Sequence, residues 1–465
     1  MKKNSLLKAI GIAFLAYVLL SWIIPTGYFT SGKFTGDSIV PVGILDLIRY
    51  PLITSTSSVF VLTGLVILVI GGLYGVLNKT LAYQSMINSI TKKFKNKETK
   101  FLVITVLLFA LLSSVTGLSL PLFVMVPMFA TIIILLGYSK FTAMLSTVGA
   151  VLVGNIGSTY GFNVAGYITY LTEDINKLII FRIILFVVTT SLLLFTVIKS
   201  SKKENNKEEI ILFEKTKEKT KKSFVPMIVT LIIMMLLILI GMFNWSGVFK
   251  IEFFGDIYTK ISEFSLGGYP VAKNIIGSTY GMGSWTNYEL CLVLIISSLV
   301  IGLIYKLKLR EIVESFVEGS KKMLPVAFYT VLASIIFLLM NSSSTGYTIF
   351  ATITNALLDL TKGFNVITFS IVSFIGSFLY NDFPYLLSSI YDPITNLYQD
   401  KLPIIGIITQ SIHGLVQLIA PTSIILVAGL KYFDISYSEW FKKIIKFLLF
   451  ILLVIIVIII IITLV

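Results

Sequence analysis

Cysteine and histidine are almost absent from this chain: its 465 residues include one of each, Cys291 and His413. A lone cysteine excludes a disulfide framework or a thiolate cluster within one chain, and no external loop carries a His/carboxylate cluster for a metal site. HExxH, GxSxG and P-loop patterns are missing too, so no motif points to an enzyme or to a bound cofactor. Charge is scarce, at 13% of residues, against 56% hydrophobic residues and a mean hydropathy of +0.95. No soluble domain of this length could cover its surface with so little polarity. The composition is that of an all-α polytopic membrane protein.

What charge there is collects in patches. Lys and Arg cluster at Lys2 to Lys8, Lys92 to Lys100, Lys199 to Lys222, Lys306 to Lys322 and Lys431 to Lys446, while the alternate connections carry few. By the positive-inside tendency the clusters face the cytoplasm, and so does the N-terminus. The net charge of +14 then reflects topology; spread over short loops, it does not form a nucleic-acid module. Met1 to Pro25 has a basic start and an apolar run but no small-residue cleavage site, and it reads as a retained first helix. At about 20 residues per crossing, roughly thirteen segments are expected, near 8–25, 59–78, 101–117, 120–137, 142–165, 178–198, 224–243, 286–305, 324–340, 346–361, 365–381, 403–430 and 444–465, with the C-terminus outside. Two of them, 142–165 and 403–430, are interrupted and read either as full crossings or as re-entrant hairpins with a short helix.

The Lys/Glu-rich stretch 199–223 reads as a solvated cytoplasmic linker between two membranous halves, 1–198 and 224–465. The interruptions Gly154 to Asn163 (GNIGSTYGFN) and Gln410 to Ser423 (QSIHGLVQLIAPTS) lie in these halves on segments running in opposite directions, as two inverted-topology repeats would place them. The literal repeat GSTYG, at Gly157 to Gly161 and Gly277 to Gly281, is read as loop chemistry.

Irregular backbone is tolerated in lipid only where protein or a water-filled cavity covers it, and a broken helix exposes N–H groups at one end and C=O groups at the other. At the first break, Asn155, Ser158, Thr159 and Asn163 supply donors and acceptors, and Gly157 allows close approach. A Gly/Ser packing face is the bland alternative. At the second, Pro421 removes a donor that Thr422 and Ser423 replace, either for a solute or merely to heal a kink. Asp382, in the polar stretch YNDFPYLLSSIYDPIT, is a candidate for coupling to Na+ or H+, or else a solvated loop acid. His413 is a candidate proton relay or a packing histidine. Arg182 sits near the outer end of its span, where it either attracts an anionic solute or, as expected, snorkels to the interface, and Glu289 reads as interfacial.

Trp22 to Gly27 (WIIPTG), Gly71 to Thr80 (GGLYGVLNKT), Phe316 to Ala327 (FVEGSKKMLPVA) and Ala420 to Trp440 (APTSIILVAGLKYFDISYSEW) together resemble the four-carbon dicarboxylate anaerobic carrier-like (YfcC-like) family of the ion transporter superfamily. The resemblance implies an inverted-repeat carrier with two hairpins and two broken helices around its substrate, at Asn155 to Gly161 and Pro421 to Ser423. It also implies a frequent homodimer. Ser113 to Pro121 is uncharged where members look acidic, and Ile424 follows Pro-Thr-Ser in place of glycine. The expected function is secondary active transport of a small organic anion (dicarboxylate-like) or amino acid across a bacterial cytoplasmic membrane, ion-coupled or exchanging, by alternating access. A membrane enzyme acting on a lipid-linked substrate, and a channel or sensor, are the alternatives.

Overall fold

The computed structural model describes residues 5–43, 45–46, 49, 58–161, 176, 178–201, 210–215, 222–275, 277, 280–336, 348–361, 364–395 and 398–464. These residues are overwhelmingly helical. Two antiparallel two-stranded ribbons complete them, β1 (Gly27–Thr30) with β2 (Lys33–Gly36) and β3 (Ser265–Leu266) with β4 (Tyr269–Pro270).

The chain forms two compact units. The first takes Met1–Val61, Asn96–Glu208 and Pro325–Val465; the second takes Leu62–Lys95 and Glu209–Leu324. Helices α1 (Ser5–Ser21), α2 (Ser58–Lys79), α3 (Ala82–Phe94) and α4 (Glu98–Thr116) are followed by a 3-10 turn and α5 (Val126–Leu135). Then come α6 (Lys140–Ser146), α7 (Val148–Ile156), α8 (Ile179–Ser200) and α9 (Val225–Met242). Short helices α10 (Trp245–Phe249), α11 (Phe253–Ser262) and α12 (Val271–Ile275) lead to α13 (Asn287–Ile304) and α14 (Leu309–Ala333). The last are α15 (Ile349–Thr361), α16 (Val366–Leu379), α17 (Phe383–Thr395), α18 (Leu402–Gln417), α19 (Ile424–Tyr432) and α20 (Tyr437–Leu464).

Five helices, α4, α8, α9, α13 and α20, are long and apolar enough to cross a membrane, and up to six if the pair α2 and α3, bent by 88°, counts as one. The remaining apolar helices are 10–17 residues long, short of the roughly 20 that a crossing takes. Length therefore supports five or six complete spans among the described residues and does not establish thirteen. Segment 142–165 breaks twice, at Thr147 and again after Ile156, and segment 403–430 breaks between Gln417 and Ile424. Glu289 proves to be a capping residue: Thr286 at the start of α13 donates to it from both N and Oγ1 at 2.8 Å. Of the second GSTYG copy, Ser278 and Thr279 lie outside the described residues.

In the second unit α2 and α14 meet through glycine. A Cβ on Gly319 would fall 2.1 Å from Gly71 O, and one on Gly75 would fall 2.0 Å from Ser315 O. Backbones in contact at this range are the small-residue packing of membrane helices, and Ser320 Oγ adds a bond to Leu68 O at 2.9 Å. Part of the charged linker also departs from the solvated expectation. Leu212 and Phe213 are buried, Asn78 Nδ2 donates to Leu212 O at 3.0 Å, and Glu214 pairs with Lys322. Two apolar side chains within the charge run are enough to dock it, because their burial outweighs the loss of hydration. Gly319→Val should destabilise the protein by about 1–3 kcal/mol or more, since backbone must move to admit the side chain. Thermal unfolding of the full chain in detergent measures this, and an unchanged midpoint would refute the close-packing argument.

Candidate functional site

Everything at the two interruptions belongs to the first unit. Helix α4 ends at Gly117, whose φ of +70° is the left-handed cap that glycine accepts without strain. Its last turn carries Ser113 and Ser114, and these face the end of α7. Close approach is permitted by Gly154, where a Cβ would sit 2.4 Å from Ala110 O, and by Gly157, where one would sit 2.2 Å from Phe186 N of α8.

The break after Ile156 leaves successive carbonyls without intrahelical partners, and each finds a side chain. Gln410 of α18 donates from Nε2 to Ser158 O at 2.9 Å and to Ile156 O at 3.3 Å. Ser114 Oγ donates to Gly157 O at 2.8 Å, and Arg182 Nη1 donates to Thr159 O at 2.7 Å. The two carbonyls fix which way the Gln410 amide points. Its Oε1 is buried without a hydrogen-bond partner. The predicted donors of this break turn back on the protein: Ser158 Oγ reaches Ser114 O at 3.1 Å, and Thr159 N does so at 2.9 Å. Asn155 is still helical; its Oδ1 lies 2.8 Å from Ser113 Oγ, and its Nδ2 donates to Ser119 Oγ at 2.8 Å. Asn163 lies outside the described residues.

Helix α7 lies antiparallel along the broken pair α18 and α19. Ile156 meets Gly414, where a Cβ would be 2.7 Å from Ile156 Cα, and Val148 meets Gly429. The first interruption is thus tied to the middle of α18, about two turns before that helix ends. The second is held elsewhere, on the end of α16: Thr422 Oγ1 donates to Phe378 O at 2.9 Å, and Asn381 Nδ2 to Thr422 O at 3.3 Å. Pro421 follows the last α18 turn as a helix stop. Ser423 is the N-cap position of α19, yet its hydroxyl caps nothing and is buried without a partner.

Such a pair of broken helices inside an apolar helical body is a device of membrane carriers. The family model described as "C4-dicarboxylate anaerobic carrier" matches residues 5–464. The chain belongs to this family. Among solved structures it is similar to the YdaH transporter of Alcanivorax borkumensis, at 12% identity over 98% of this chain and 97% of that one. The TM-score is 0.36, too low to carry an argument. No curated protein matches the chain.

In this carrier Asp382 sits partly buried in the turn between α16 and α17, where it begins α17: its backbone carbonyl accepts from Leu386 N at 3.2 Å, and Oδ1 lies 3.5 Å from Tyr385 N. His413 is buried on α18, with Nδ1 3.3 Å from Ser377 Oγ and its ring edge-on to Phe383, the residue after Asp382. The fold therefore sets Phe383 between the two coupling candidates, with Asn381, next to Asp382, bonded to Thr422 of the second interruption and His413 on the middle of α18.

Sequence reasoning passed over Gln410 as a site residue, although it opens the interrupted stretch, and passed over Ser113 and Ser114 because they carry no charge. Arg182 is a correction. It does not snorkel but is fully buried, because the broken end of α7 offers it the carbonyl of Thr159. Gln410→Leu should strip two buried carbonyls of their donor, costing about 1–3 kcal/mol for each group left unpaired. Gln410→Glu should be at least as harmful, since an ionised carboxylate cannot donate. Both are read by unfolding temperature and by solute uptake in reconstituted vesicles, and retention of both properties would remove Gln410 from the site.

Proposed function

We propose that this family member is a secondary active transporter of a small organic anion, a C4-dicarboxylate in particular, working by alternating access in a bacterial cytoplasmic membrane with its N-terminus inside. The observation that carries this reading is an asymmetry between the interruptions. At the first, the carbonyls of Ile156, Gly157, Ser158 and Thr159 are all taken by protein donors. At the second, the N-terminus of α19 presents its leading N–H groups beside the unpartnered hydroxyl of Ser423. A carboxylate needs donors, and of the two interruptions, among the described residues, the second is the one that keeps them uncommitted. Thr422 and Ser423 are the proposed binding side chains there, with Pro421 opening the backbone. Asn155, Gly157, Ser158 and Thr159, at the first interruption, are the further residues proposed to border the solute's path.

Asp382 and His413 are the proposed coupling pair, with Na+ or H+ as the ion, or counter-exchange as the driving force. The motivation is their placement: Phe383 links them, and Asn381 ties the Asp382 turn to Thr422. A carboxylate at such a position is costly unless it binds an ion or a proton.

Uptake of labelled succinate into vesicles reconstituted with the full chain tests both parts. Ser423→Ala should raise the KM about ten-fold or more, the value of a hydrogen bond to a charged group. An unchanged KM would place the carboxylate elsewhere. Asp382→Asn should abolish ion-driven accumulation while leaving succinate exchange intact, and undiminished accumulation would take Asp382 out of the mechanism.

A further inference from the structure

Helices α16 and α18 run parallel and in register. Ser373 Oγ donates to Thr409 Oγ1 at 3.2 Å and, one turn on, Ser377 Oγ lies 3.3 Å from His413 Nδ1, so residues 36 apart in sequence are level in space. Asn365 at the start of α16 is therefore level with Lys401 at the start of α18. Helix α20 runs the opposite way, because Trp440 near its start donates to Leu418 O at 2.9 Å just past the end of α18. Thr463, near its far end, thus lies toward Lys401.

These three helices enclose an open groove of about 900 Å3. Ile404, Ile412 and Leu415 of α18 form its floor; Ile371 and Phe374 of α16 and Ile456 of α20 stand among its walls. The polar lining consists of Asn365, Ser370, Lys401 and Thr463, and the register places all but Ser370 at one mouth. From Lys401 to Leu415 the floor is about 21 Å long by helical rise, against about 15 Å for the hydrocarbon of one leaflet, half of a core about 30 Å thick.

We propose that this groove binds one anionic glycerophospholipid, an acyl chain lying on the floor and the phosphate at Lys401. Three observations converge on that ligand. The walls are apolar over a leaflet's depth, so the occupant is a hydrocarbon chain. The single charged lining residue is a cation at the mouth. Helix α18 starts beside it with no side-chain cap, so the positive end of its dipole adds to the charge of Lys401, although Pro403 in that first turn supplies no N–H. Asp400 is the one carboxylate adjacent in sequence, and it is not part of the lining. The floor helix is also the one that presents Gln410 and His413 from other faces. Lipid occupancy would hold the rotation of α18, and hence the seal over the first interruption, in place.

The test uses the full chain, purified and delipidated in detergent, with native mass spectrometry counting bound phosphatidylglycerol. Phosphatidylcholine of the same chains and soluble glycerol phosphate serve as the other probes. Lys401 and Ile456 are both solvent- or lipid-exposed, Ile456 by 48%, so variants there leave the packed interior alone. One phosphatidylglycerol per chain is expected, with Lys401→Glu weakening it about ten-fold, the effect of reversing one charge at an anionic head group, and phosphatidylcholine little changed. Ile456→Trp should displace both lipids. Equal phosphatidylglycerol binding by wild type and both variants would overturn the proposal. So would competition by glycerol phosphate alone, which would mean a free-anion site. A change of oligomeric state in Ile456→Trp with lipid binding intact would likewise overturn it and assign the face to a contact between copies.

Discussion

A carbonyl without a donor, in a place that water does not reach, costs several kcal/mol. The end of α7 exposes a run of them inside the first unit, and much of that unit is arranged to supply their donors. Gln410 arrives from α18, Ser114 from α4 and Arg182 from α8. Three helices far apart in sequence are thereby fixed around one irregular stretch. The glycines follow from the same demand. Gly154, Gly157 and Gly414 exist because the donors reach the carbonyls only if the helices come to backbone contact.

That constraint also separates the two interruptions chemically. The carbonyls of the first are consumed by the protein. The second keeps donors in reserve, since Thr422 is spent on Phe378 O but Ser423 is not, and the α19 N-terminus stands beside it. On the proposed function, the second is the one that exchanges partners with a solute. Of the two coupling candidates, Asp382 lies next to the second interruption, through Asn381 on Thr422. Gly71, Gly75 and Gly319 apply the same small-residue principle in the second unit, where no polar seal is involved and packing alone is at stake.

Much of this was legible in the residues. Apolar runs and lysine clusters gave several helices nearly to their ends, since the expected segment 286–305 is Asn287–Ile304 and 178–198 is Ile179–Ser200. The helix expected from 324 begins instead at Leu309, and Ala82–Phe94 and Phe383–Thr395 have no counterpart among the expected segments. Glycine, serine and proline inside apolar runs marked both breaks, and the four resembling motifs pointed to the family that the match over residues 5–464 established. Other features were hidden. Ser113 and Ser114 are ordinary helix residues until α7 ends against them. Arg182 looked interfacial because position along a helix does not reveal which neighbour ends beside it. The docked Leu212 and Phe213 were masked by the charges around them.

The sequence by itself determined the solvent, the helical class and the places where helices must stop, because those follow from local composition: apolar length, charge spacing, and residues that cannot continue a helix. Only the tertiary structure decided which broken end is sealed and which is left open. Hydrogen bonding in a membrane interior is a matter of which groups are brought within about 3 Å of one another, and Gln410 and Ser158 are separated by some 250 residues that carry no local signal of that meeting.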